Sequence, residues 1–93
     1  MKAIICAGTH GRAVVYGEIE GDVLPRPGDN VEIKNARMVL SWGGTSGLFG
    51  LASKGPEKGS RITATAVAVT CAVCEALMVS DKASEVIDAW PNE

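Results

Sequence analysis

Six of the chain's eleven glycines fall between Gly43 and Gly59, inside the stretch SWGGTSGLFGLASKGPEKGS at 41–60. Glycine gives up more backbone freedom on ordering than any other residue, so no long helix or strand is expected to run through such a stretch. The fold must be assembled from short elements on either side. The apolar runs elsewhere agree: KAIICA at 2–7 and RAVVYGEIE at 12–20 are β-branched and separated by GTHG, a hairpin pattern. Pro25, Pro27 and Gly28 in VLPRPGDN then enforce an exposed turn. VEIKNARMVLSW reads as a strand with a turn or bulge at Asn35. Val31 and Ile33 alternate before it, and Met38, Leu40 and Trp42 after it.

Within the glycine-rich stretch, LFGLA at 48–52 reads as a short strand and KGPEKGS as a turn. RITATAVAVT and CAVCEALMV follow as two further strands joined near Thr70. Only the tail carries a helical pattern. Ser80 suits an N-cap, Asp81 the first turn, Ala83, Val86, Ile87 and Trp90 recur on one face, and Pro91 stops the helix. The expectation is a mainly β domain over 1–93: a small barrel or strongly curved antiparallel sheet of six to seven short strands, closed by one C-terminal amphipathic helix.

With 93 residues, 46% of them apolar but only four aromatic, the core is thin and built from alanine and valine. Self-association into a homo-oligomer is therefore expected. Net charge is −2, which argues against general nucleic-acid binding. No apolar run is long enough to span a membrane, and MKAIICAGTHG is too short in its apolar part for a signal peptide. A cytoplasmic location with reduced thiols follows, and the odd count of three cysteines agrees.

Charge is unevenly spread. Lys54, Lys58 and Arg61 surround the glycines with Glu57 as their one acid, whereas Glu75, Asp81, Glu85, Asp88 and Glu93 dominate the C-terminal part. Neither phosphate-binding glycine motif is present: Gly55 precedes Pro56, Gly59 precedes Ser60, and G-x-G-x-x-G does not occur. A looser anion site remains open. Backbone N–H groups of Gly43 and Gly44, the hydroxyls of Thr45, Ser46 and Ser60, and the cations Lys54, Lys58 and Arg61 could hold a phosphate. Arg37 and Trp42 could stack on a base. Against this, glycines also serve tight turns, Arg37 also fits a strand edge, and Trp42 a core.

Cys71 and Cys74 form a C-x-x-C pair that Cys6 and His10 could complete as a zinc site. TCAVCEA lacks knuckle residues, however, and residues three apart on a strand face opposite sides. The cysteines are read as core thiols, without metal or bridge, and His10 as a turn residue. Glu18, Glu20 and Asp22 read as a solvated rim. No catalytic constellation and no cofactor is indicated, so the chain is not expected to be an enzyme.

NARMVLSWGGTSGLFGLASKGP and VSDKASEVIDAW resemble the pattern of a family of small uncharacterised bacteriophage proteins, across about two thirds of the chain. The matching residues are Ala36, Arg37, Trp42, Gly43, Leu48, Leu51, Gly55 and Trp90; Ser41 stands where the family prefers an aromatic. The family carries no known activity. The resemblance implies a viral origin, action in the cytoplasm of an infected bacterial host, and an accessory role of the kind that disables host defences. Two function classes stay open. One is an oligomer that sequesters an anionic signalling nucleotide. The other is a protein-binding inhibitor of a host defence complex, or a small structural phage component.

Overall fold

The computed structural model describes residues 1–8, 13–43 and 47–93. It contains β1 (Lys2–Ala7), β2 (Ala13–Glu18), β3 (Asn30–Ser41), α1 (Gly47–Lys54), β4 (Arg61–Ile62), β5 (Ala66–Met78) and α2 (Asp81–Ala89). All strand pairings are antiparallel. The order β2-β1-β5-β3 closes on itself through a β2–β3 pairing, and the two-residue β4 adds to the far part of β3. The mainly β reading holds, as a closed four-strand barrel with one extra strand and two helices.

The element count departs from the sequence expectation in three places. Among the described residues there are five strands, not six to seven. The two strands expected to meet near Thr70 are one 13-residue strand, in which Thr70 pairs with Glu32 without a break. LFGLA is not a strand but the body of α1, because Leu48, Leu51 and Ala52 fall on one helical face and pack on the barrel. The expected hairpin between the first two runs does form, with Lys2 opposite Glu18 and Ala7 opposite Ala13.

Four strands enclose little space, which accounts for the small residues. The interior holds Ala3, Ile5, Ala7, Val15, Ile19, Ile33, Ala36 and Val73. Gly17 sits among them because there is no room for more: a Cβ there would collide with the Ile33 side chain and lie 2.8 Å from Lys34 O. A second core lies outside the barrel wall. Ile4 and Cys6 of β1 and Val14 and Tyr16 of β2 meet Leu51 and Ala52 of α1 and Ala83 and Ile87 of α2. β1 and β2 are thus buried on both faces, hence their unbroken apolar sequences.

Asn35 has φ 51 and interrupts the alternation of β3. Ile33 and Ala36 both join the interior, while Arg37 and Val39 turn to the outer layer. The bulge was expected, but its consequence was not. Val39 is buried, whereas Met38 and Leu40 stay 42% and 45% exposed.

α2 starts as its sequence indicates. Ser80 Oγ accepts from Ala83 N–H at 3.1 Å and donates to Ser53 O at 2.7 Å, so one cap also ties α2 to α1.

Candidate functional site

Of the ten residues expected to form a ligand site, Gly44, Thr45 and Ser46 lie outside the described residues, as does His10. Arg37 is buried rather than displayed at the surface. It is 4% exposed, and its guanidinium is committed to the chain itself. Nε donates to Thr63 O (2.8 Å), Nη1 to Ile87 O (2.6 Å), and Nη2 to Asn92 Oδ1 (2.9 Å) and Pro91 O (3.5 Å). α2 has no basic residue in its last turn. Arg37 supplies that charge from β3, at the end of the helix where free carbonyls favour a cation.

Gly43 and Ser60 meet, but they satisfy each other. Gly43 N–H donates to Ser60 Oγ at 3.0 Å, and Ser60 Oγ donates to Glu57 O at 2.6 Å. Gly43 is required because a Cβ there would run into Lys58 O. Trp90 Nε1 donates to Ser60 O at 3.1 Å, bringing the end of the chain onto the same corner. Trp42 is partly buried and packs against the outer core. Arg61 Nε donates to Glu93 Oε1 at 3.0 Å across a solvent-exposed pair. Lys54 and Lys58 are exposed. The structure therefore gathers Gly43, Lys58, Ser60 and Arg61 at one corner, withdraws Arg37 into the core, and leaves Lys54 at the end of α1.

A polar cluster that the sequence did not reveal lies on the other side of α2. The Tyr16 ring is fully buried; its hydroxyl donates to Asp88 Oδ1 (2.8 Å) and shares a hydrogen bond with Ser84 Oγ (2.7 Å). Lys2 Nζ lies 3.8 Å from Asp88 and 5.4 Å from the Tyr16 ring centroid. Burial, above all, drives the Tyr16 phenol well above its usual range, with Asp88 adding to the effect and Ser84 opposing it. A phenol held protonated and out of reach acts as a donor that fastens α2 to β2. Its partners are 68 and 72 residues away in sequence, so no local motif signals it.

The open feature is apolar. Between α1 and the end of β5 runs a trough of about 520 Å³ lined by Phe49, Ala52, Leu77, Met78 and Val79, with Ser53 and Ser80 as its polar members. Phe49 is 74% exposed and Met78 58%. A second hollow, about 470 Å³, lies beside Glu18, Glu20, Glu32 and Lys34, where the acidic rim was expected. Among the described residues no group of three side chains is placed to hold a metal, and no helix is long and apolar enough to cross a membrane. Cys6 is buried and Cys71 packs against the barrel interior, but Cys74 is exposed and is not the core thiol expected: residues three apart on a strand face opposite sides, so the C-x-x-C pair is split.

Residues 1–87 match the family described as a domain of unknown function, DUF6948. The chain belongs to that family. No curated protein and no solved structure is significantly similar to it. Three of the residues singled out in the sequence have structural reasons. Arg37 pins the end of α2, Gly43 admits the 57–60 turn, and Trp90 bonds to Ser60 O.

Proposed function

We propose that this chain is a non-enzymatic docking protein whose α1–β5 trough receives an apolar side chain from a protein partner. The observation that supports this reading is the exposure of Phe49 and Met78 around a floor of Ala52, Leu77 and Val79. Large apolar groups left at the surface in one place mark interaction sites more often than chance exposure does. Phe49 is also the chain's one phenylalanine, in a protein otherwise poor in large side chains. Given the resemblance to small phage proteins, we take the partner to be a host defence protein, or a neighbouring virion component, met in the cytoplasm of an infected bacterium. A photo-reactive side chain at position 49 tests this, with position 23, equally exposed, as the control. One protein should cross-link from 49 and not from 23. Purified, it should bind the native chain and lose at least about tenfold affinity for Phe49→Asp, the scale of one anchoring side chain. Equal cross-linking from both positions would refute the reading.

A second reading, sequestration of an anionic nucleotide by a homo-oligomer, is favoured by the exposed Lys58 and Arg61 beside Gly43. A panel of cyclic and linear nucleotides in thermal-shift assays separates the two. A docking protein shows no shift, whereas a bound nucleotide raises the midpoint by mass action and Lys58→Ala removes the rise.

A further inference from the structure

In the β1–β5 ladder Cys6 stands opposite Glu75, and the next rung pairs Ala7 with Val73, leaving Cys74 as an extra residue. Val73 and Ala76 both pack toward the barrel interior. The two residues between them, Cys74 and Glu75, therefore share the outer face, and Cys6 belongs to the outer core on that same face. A bulge of this kind sets two side chains of one strand against one of its neighbour.

We propose that Cys74 and Cys6 form a thiol–disulfide modification site, in which Cys74 reacts with a low-molecular-weight disulfide and Cys6 resolves the adduct into a cross-strand bridge. Facing side chains in an antiparallel pair have Cβ atoms about 4.5–5.5 Å apart, and a disulfide needs about 3.5–4.5 Å. Cys74 stands beside the directly opposed Glu75 in the two-against-one arrangement of the bulge, and the interrupted ladder gives the strand local freedom to bring its sulfur to Cys6. Access dictates the order of events. Cys74 is exposed, whereas Cys6 is 7% exposed and reachable mainly by a sulfur already above it. Burial pushes the Cys6 thiol up, and nearby Glu75 and Cys74 add to this, so Cys6 makes a poor first nucleophile. Cys71 is excluded because it lies with the interior cluster.

The chemistry balances. The Cys74 thiolate attacks one sulfur of the oxidant, here oxidised glutathione, and expels a glutathione thiolate. Cys6 gives its proton to solvent and attacks Cys74 Sγ, expelling the second thiolate. Both released thiolates are protonated, so the chain is oxidised by two electrons and one oxidised glutathione is reduced to two thiols. The bridge would lock β1 to β5 just before Leu77 and Met78, the strand wall of the trough.

Intact-mass analysis of the reduced chain against a series of glutathione redox ratios tests this. The native chain and Cys71→Ser should lose two hydrogens with no retained glutathione, and digestion should give one cross-linked peptide pair joining Cys6 to Cys74. Cys6→Ala, which keeps an apolar side chain in the core, should stop at one glutathione on Cys74; Cys74→Ser should stay reduced. A persistent glutathione adduct on native Cys74, a bridge that includes Cys71, or a native chain that remains reduced would overturn the proposal. The native-chain readout stands whatever the stability of the variants.

Discussion

The corner where β3 ends, the 57–61 turn and the last residues meet is rich in polar groups that find their partners inside the chain. The corner between α1 and the end of β5 is its opposite: apolar groups with open space beside them. Both draw on the glycine-rich stretch, which contributes Gly43 and Ser60 to one and Phe49 to the other. The contrast teaches that a count of donors and cations measures capacity, not availability. Arg37 has the chemistry of a phosphate fork, yet it accounts for three backbone carbonyls and an amide oxygen of its own chain. Phe49 has no polar chemistry, yet it is what the fold leaves uncovered.

If the polar corner is structural, breaking it should unfold the protein before it affects any ligand. Arg37→Ala leaves the buried Ile87 carbonyl and the part-buried acceptors of Thr63 and Asn92 without their donor. Denaturant unfolding should show a loss of about 3–5 kcal/mol, the sum of several hydrogen bonds to a charged group. A variant as stable as the parent would restore Arg37 to the list of free ligand groups. Trp90→Ala should come next. Its ring is only partly buried and its Nε1 bonds to Ser60 O, so about 2–3 kcal/mol is expected, below the loss for a fully buried tryptophan. A loss under about 1 kcal/mol would detach the chain's end from the corner.

Tyr16 sharpens the same point on the far side of α2. Tyr16→Phe keeps the ring and removes the hydroxyl that Asp88 and Ser84 use, at a cost of about 1–2 kcal/mol near neutral pH. Its pH dependence has a definite sign. The folded protein holds the phenol above its unfolded value, so the protonated form is favoured by folding. That contribution is complete below the ordinary tyrosine pKa of about 10 and declines above it, by up to about 1.4 kcal/mol per pH unit. The native chain should therefore lose stability faster than Tyr16→Phe above that point. Parallel curves would mean that the phenol titrates alike in both states.

Much of this architecture is legible in the residues. The β1–β2 hairpin, the break at Asn35, the Ser80 cap and the helical face of Ala83 and Ile87 rest on local rules, and all were found where those rules put them. What was misread depended on longer-range facts. LFGLA is short and apolar, so strand and helix patterns both fit it; the Leu48–Leu51–Ala52 spacing and Gly55 after Lys54 were the helical signals to weigh. Met38 and Leu40 continue the apolar alternation of β3 in sequence, yet it is Val39 between them that is buried, because the break at Asn35 changes which residues of the strand face the core. Of the expected site, the corner itself was legible from its cations and glycines. That Arg37 and Ser60 bond within the chain was not, because Arg37 finds its acceptors at residues 63–92 and Ser60 accepts from Gly43, 17 residues earlier.

The smallest expected effect on stability is also the most decisive for the apolar corner. Phe49 is 74% exposed, so Phe49→Asp should change the unfolding free energy by no more than about 0.5 kcal/mol, as surface substitutions do. Placing a carboxylate at the lip of the trough should nevertheless abolish apolar docking, since a partner would have to desolvate the charge with no cation given for it in the lining. Stability and binding should thus separate at Phe49, where they would fall together at Arg37. A loss of more than about 1 kcal/mol would show instead that the phenylalanine ring is part of the α1 packing, and the trough would lose its claim as a docking surface.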